Sequence, residues 1–208
     1  MGIFSKKSNS ILGLDISSTA IKVVELENSG NNYRLLHYTI ESLPQNAVSE
    51  NSIADVEQVS SSITRAIKRS GARSRNVATA IPGSHVISKR IFMPHGLRED
   101  ELESQITLEA DHYIPYPLDE VNMDFEVLGP AVDSPNEDEV LLVACRNEID
   151  DDYIAVVEDA GLTPVILDVE YYAVEKAYEQ IVQDLPGGGM ENYGSYGLRC
   201  DDIACECY

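Results

Sequence analysis

The sequence has no tryptophan and only three phenylalanines, so a core built from it must rest on aliphatic side chains and some of its eleven tyrosines. Positive charge is also scarce: fifteen Lys and Arg stand against thirty-six Asp and Glu, a formal net charge of −21. A surface of that sign repels polyanions, which argues against a nucleic-acid partner and against direct attachment to anionic lipid. Only the opening MGIFSKKSNS, with Lys6 and Lys7 beside Ile3 and Phe4, offers a short basic segment. No apolar run approaches the roughly 20 residues that span a bilayer, and the start lacks the apolar stretch of a signal peptide. The expected location is therefore the cytoplasm, with no transmembrane segment. Cysteine is sparse too. Cys145 lies in an apolar strand-like run and reads as core, while Cys200, Cys205 and Cys207 near the end lack the paired spacing and the histidine of a zinc site and read as free thiols.

What remains is enough for one good core. With 208 residues, 43% of them hydrophobic, the natural expectation is one domain with a subdomain. ILGLDIS, AIKVVELE and YRLLHYTIESLP read as a strand meander with NSGNN as a turn. A helix follows, capped by Ser52 or Asp55, with Val56, Val59, Ile63, Ala66 and Ile67 at helical spacing and a stop at Ser70-Gly71. NVATAIPG is a fourth strand, closed by Pro82-Gly83. The rhythm then changes to a strand VISKRIFMP, a helix REDELESQITLEADHYIP stopped at Pro115, and two strands, VNMDFEVLGP and EDEVLLVACRNE, that read as a hairpin across a turn-rich AVDSPNEDE. This strand-helix-strand-strand block reads as a small α+β unit inserted into the first. IDDDYIAVVEDAGL, TPVILDVE and YYAVEKAYEQIV then give helix, strand and helix, and after Pro186 an irregular tail follows.

The stretch with chemical promise is ILGLDISSTAIKVVEL. A strand ending in an acid, followed at once by small hydroxyl residues, converges donors on one small volume. Ser17, Ser18 and Thr19 could donate to phosphate oxygens, Asp15 could hold a hydrated magnesium ion, and Lys22 could supply positive charge. An ordinary hairpin turn, with Asp15 and Ser17 bonded locally and Lys22 on a solvated face, accounts for the same residues.

Several segments in order, namely MGIFSKK, GLDISSTAIKVVEL, NVATAIPGSHVISKRIFMP, EADHYIPYPLDEV, DFEVLGP, VLLVACRNE and VEDAGLTPVILDVEYYAVEKAYE, resemble the PilM family of actin-like type IV pilus assembly proteins over residues 1 to about 186. The resemblance implies an α/β fold: the first half of an actin-like (ribonuclease-H-like) ATPase fold, with an inserted strand-helix-strand-strand subdomain shared with FtsA. The implied organisation is an N-terminal tail at 1–9, subdomain 1A at 10–85 plus 148–186, inserted subdomain 1C at 86–147, and a tail at 187–208. It further implies ATP and Mg as cofactors, with Asp15, Ser17, Ser18, Thr19 and Lys22 facing the phosphates, Asp15 facing the metal, and Glu170 in the catalytic, water-orienting place.

The second actin-like half, with its own phosphate loop, finds no counterpart after Pro186. The expectation is a truncated or frameshifted product with little ATP binding, at most a weak ATPase. The resemblance implies an adaptor role: holding the N-terminal cytoplasmic segment of PilN, in an inner-membrane pilus assembly complex to which the chain is peripheral. Edge-strand logic places that peptide near Ser88–Pro94 and the helix Leu102–Ile114, although Phe92, Met93 and Ile106 also read as ordinary core. Self-association is a further mode to be tested. An actin-like ATPase or kinase, or an FtsA-like membrane-tethered filament protein, is the alternative; the first lacks a recognisable sugar pocket, the second its amphipathic C-terminal helix.

Overall fold

A computed structural model describes residues 10–30 and 32–181. The chain divides into two compact units, residues 1–84 with 151–208, and residues 85–150. The irregular tail expected at 187–208 and its three cysteines lie outside the described residues, as does the N-terminal tail.

The first unit is built on a five-stranded sheet. β1 (Ile11–Ile16), β2 (Ala20–Ser29) and β3 (Asn32–Ser42) form an antiparallel meander. A minimal hairpin of β4 (Val48–Ser49) and β5 (Ser52–Ile53) leads into α1 (Val56–Ser70), and β6 (Asn76–Ile81) then returns parallel to β1. Alternation sets the faces: Leu12, Leu14, Ile16, Ile21 and Val23 all point inward and are buried. The same period carries an acid inward, because Glu25 continues the Ile21, Val23 series and is only 2% exposed.

The start and stop of α1 follow from its sequence. Asp55 caps it, accepting from the Gln58 amide at 2.9 Å, and Gly71 at φ 73° closes it by donating its N–H to the Ile67 carbonyl. Val59, Ile63, Ala66 and Ile67 are its buried stripe. On its polar side Arg65 and Arg69 both reach Glu41 of β3, at 3.0 and 3.3 Å. Tyr38 and Ile40, alternating with buried Thr39 on β3, are 69% and 59% exposed, so the far face of this edge strand is apolar and open.

The second unit is a three-stranded antiparallel sheet with one helix. β7 (Val86–Pro94) is followed by α2 (Glu99–Glu109), then β8 (Val121–Ala131) and β9 (Ser134–Arg146), with strand order β7-β9-β8. Ile91, Met93, Leu102, Ile106, Val140 and Leu142 make its core. Two expectations change in their bounds here. The helix stops at Glu109 rather than continuing to Pro115, because Ala110 to Ile114 tighten into a turn in which the amides of Tyr113 and Ile114 both donate to the Ala110 carbonyl, burying Ala110 and Ile114. The hairpin expected across AVDSPNEDE is present, with its turn narrowed to Val132-Asp133, since Ala131 already pairs with Ser134. Polar residues carry strand there because pairing on both sides, with β8 and with β7 as far as Glu137 opposite Pro94, satisfies their backbone.

The unit boundary falls within α3 (Asn147–Asp159), whose Tyr153, Val156 and Val157 are buried. β10 (Thr163–Val169) then adds parallel to β6, and α4 (Glu170–Ile181) begins at once. The sheet order is β10-β6-β1-β2-β3. No helix among the described residues is long and apolar enough to cross a membrane.

Candidate functional site

Three parallel strands, β1, β6 and β10, finish at one edge of the sheet, with Leu14 beside Thr79 and Ile81 beside Val169. The carboxyl edge of parallel strands in an open α/β sheet is where loops can receive a ligand without breaking strand pairing. Here that edge gathers Asp15 near the end of β1 with the Ser17–Thr19 loop that follows, Pro82-Gly83 after β6, and Glu170 after β10.

The loop after β1 is short and internally tied. Both the amide and the hydroxyl of Ser17 donate to the Ala20 carbonyl, at 3.0 and 2.9 Å, and the Leu43 amide donates to the Thr19 carbonyl at 2.9 Å. Ser17 therefore locks the turn, while Ser18 and Thr19 are exposed. Directly below, the register sets Asp15 opposite Lys22, and their side chains meet at 2.6 Å with 44% and 50% exposure. In this state the lysine neutralises the aspartate, a surface pair worth about 0.2–1 kcal/mol and so readily exchanged for another anion.

Glu170 lies two strand spacings from Asp15, on the order of 10 Å between backbones. Partial loss of solvent lifts its carboxyl above the ordinary glutamate range, the negative charge of Asp15 lifts it further, and Lys22 opposes both. The three charges thus share one electrostatic site. Among the described residues no three His, Cys, Asp or Glu side chains are grouped as a metal cage. A magnesium ion that keeps its waters and binds phosphate oxygens requires only one or two carboxylates, so Asp15 fits that ion with Glu170 behind it.

Three supporting residues escaped the sequence reading. Thr79, buried in β6, donates its hydroxyl to the Leu14 carbonyl at 2.9 Å and ties β6 to β1 just below the loop. Gly83, read only as turn punctuation, lies against the ring of Tyr171. Glu25 accepts from the Ser10 hydroxyl at 2.9 Å and from the amides of Arg73 and Ser74 at 3.1 and 3.0 Å. Its signal was visible as an acid at an inward-facing strand position.

In the second unit, the residues expected near a partner peptide separate into two kinds. Met93 and Ile106 are core, at 1% and 3% exposure, whereas Phe92 on the edge strand β7 and Leu108 on α2 are exposed.

Comparison with known proteins places these features in a family. The family described as Type IV pilus assembly protein PilM matches residues 13–196. The solved PilM-PilN type IV pilus biogenesis complex contains a chain that is 28% identical and superposes at a TM-score of 0.73 over 85% of this chain and 52% of that one. This chain therefore spans about half the length of that relative. The cytoplasmic domain of EpsL, an inner membrane component of the type II secretion system of Vibrio cholerae, is similar at TM-score 0.51 and 14% identity, over 79% of this chain and 59% of that one. A likeness of that size speaks to fold only. The mixed sheet, with three antiparallel strands continued by two parallel ones and a strand-helix-strand-strand insert, is a partial actin-like α/β fold. The chain belongs to the PilM family of type IV pilus assembly proteins.

Proposed function

We propose that this chain acts as a partner-holding adaptor in type IV pilus assembly, binding the N-terminal cytoplasmic segment of PilN, rather than as an efficient ATPase. The observation that carries this reading is the likeness, over 85% of the chain, to the protein solved in complex with PilN. The described residues add physical support. β7 is at the edge of the three-stranded sheet, and Phe92 stands exposed on it, a combination suited to an extended peptide laid along Ser88–Pro94. A peptide held there would bring the chain to the inner membrane.

A nucleotide role is the second reading, favoured by the shared electrostatics of Asp15, Lys22 and Glu170. Magnesium would supply charge neutralisation between phosphate oxygens and Asp15. Lys22 would leave Asp15 for a phosphate, exposed Ser18 and Thr19 would donate to it, and Glu170 would face the reacting end as a carboxyl lifted toward holding a proton. Ser17 keeps the turn closed. With Asp15 and Lys22 about half exposed, each contact is screened by water, so binding by the described residues alone should be weak. Calorimetric titration with a PilN N-terminal peptide, and separately with magnesium-ATP, tests both readings. Peptide binding with weak or undetectable nucleotide binding is expected; tight ATP binding without peptide binding would reverse the order.

A further inference from the structure

We infer that the contact between Gly83 and the ring of Tyr171 is a positioning device, seating the first turn of α4 so that Glu170 faces the Asp15–Lys22 pair. The inference deepens the nucleotide reading and rests on it for its purpose, but its geometry stands independently.

A Cβ placed on Gly83 would lie 2.7 Å from Tyr171 Cδ1 and 2.8 Å from Cε1, closer than side chains tolerate. The backbone does not itself demand glycine there, because among the described residues positive φ falls at Gly30, Gly71, Gly96, Gly129 and Gly161 and not at Gly83. The aromatic ring is what excludes a side chain. By contrast Gly13, on the neighbouring strand, has only the Val24 carbonyl at 3.8 Å and room for a methyl group. The ring has restricted freedom to move aside, since Tyr172 packs edge-on against it, with centroids 4.4 Å apart and planes at 69°.

Position follows from connectivity. Gly83 comes two residues after β6, the strand between β1 and β10, and Tyr171 comes one residue after Glu170. Resting the Tyr171 ring on bare backbone therefore ties the start of α4 to the strand that separates the two acidic positions. Glu170 is within electrostatic reach of both Asp15 and Lys22, so a shift of the helix start changes that coupling directly. Displacements of about 1 Å are enough to disable a site of this kind.

A double-mutant cycle tests the device in the full chain. Asp15→Asn and Glu170→Gln are made singly and together, and thermal midpoints are compared. Like charges that repel across one site make the two effects non-additive. We expect that non-additivity in the unsubstituted chain, its loss in Gly83→Ala, where the ring is pushed out, and its loss in Tyr171→Ala, where the seat is left empty. Tyr171→Phe should retain it. Should Gly83→Ala fail to fold, Tyr171→Ala decides the question, because removing atoms creates no clash. A merely structural contact would lower every midpoint while leaving the non-additivity intact. That outcome overturns the inference, as does loss in Tyr171→Phe or absence of coupling in the unsubstituted chain. Nucleotide affinity is read in a separate titration, so failure of the nucleotide reading is distinguishable from failure of this one.

Discussion

Removing the carboxylate of Glu25 should destabilise the first unit more than any change at the loop after β1. The side chain is 2% exposed and accepts three hydrogen bonds, with Ser10 and Ser74 on Oε1 and Arg73 on Oε2. Burial alone would raise its pKa. The two amides, the Ser10 hydroxyl and His37, whose Nε2 stands 3.9 Å away, outweigh that and hold it below the ordinary glutamate range. Glu25→Ala removes the acceptor of three hydrogen bonds, one from the buried Ser10 hydroxyl and two from the part-buried amides of Arg73 and Ser74, at about 1–3 kcal/mol each before rehydration, which the two amides reach more easily. A total loss of about 3–5 kcal/mol is expected, the range for breaking a buried charged network. Glu25→Gln is no isosteric rescue, because whichever oxygen becomes NH₂ then faces a donor; about 2–3 kcal/mol is expected. Urea denaturation followed by circular dichroism reads both. With an m-value of about 1–3 kcal/mol per molar, the alanine midpoint should fall by about 1–5 M.

The pH dependence of this loss has a definite sign. A glutamate with a depressed folded-state pKa contributes stability that is fully present above its unfolded value, about 4.3, and is lost as pH falls through the lower folded value. Glu41 and Asp55 are also held low, by Arg65 and by the Gln58 amide respectively, so the acid limb of the parent is not due to Glu25 alone. The gap between parent and Glu25→Gln isolates its share, and that gap should narrow below about pH 4. A gap that stays constant with pH, or a glutamine variant within about 0.5 kcal/mol of the parent at pH 7, would refute the reasoning.

Three shorter predictions probe the strand edge and the insert. Lys22→Ala should change stability by no more than about 1 kcal/mol, because its pair with Asp15 is half exposed, yet weaken magnesium-ATP binding; a larger stability loss in urea would show the pair to be structural. Thr79→Val should cost about 1–2 kcal/mol by the same assay through the lost bond to the Leu14 carbonyl, and no loss would mean that this buried tie contributes nothing. Cys145, whose thiol is pushed up to about 12 by burial and by Asp150, should resist alkylation at pH 8 in the folded chain and react once unfolded, as read by peptide mass mapping; modification without unfolding would contradict the burial.

Much of the architecture could be read in advance because its signals are local. Alternation gave β1 to β3, the Asp55 and Gly71 signals bounded α1, and VISKRIFMP matches β7 at both ends. Local signals failed where pairing or burial across the chain decides. The polar start of β9 is strand only because β7 and β8 lie on either side of it, and α2 ends early because Ala110 and Ile114 are drawn into a core that periodicity does not describe. The candidate site divides in the same way. Asp15 and Lys22 are seven residues apart on paired strands, so their meeting is written in the hairpin register. Glu170 reaches them only through the β1-β6-β10 order, a non-local fact that resemblance supplied and spacing could not. The need for glycine at position 83 depends on a ring 88 residues later (171 − 83 = 88), which no turn rule contains.

The central claim is that this chain holds a pilus-assembly partner, and the most direct test is isothermal titration with a synthetic peptide of the PilN N-terminal cytoplasmic segment. Saturable binding is predicted, weakened by Phe92→Ala on the edge strand and unchanged by Lys22→Ala on β2. No binding by a folded chain, or binding abolished by Lys22→Ala and indifferent to Phe92→Ala, would contradict the account.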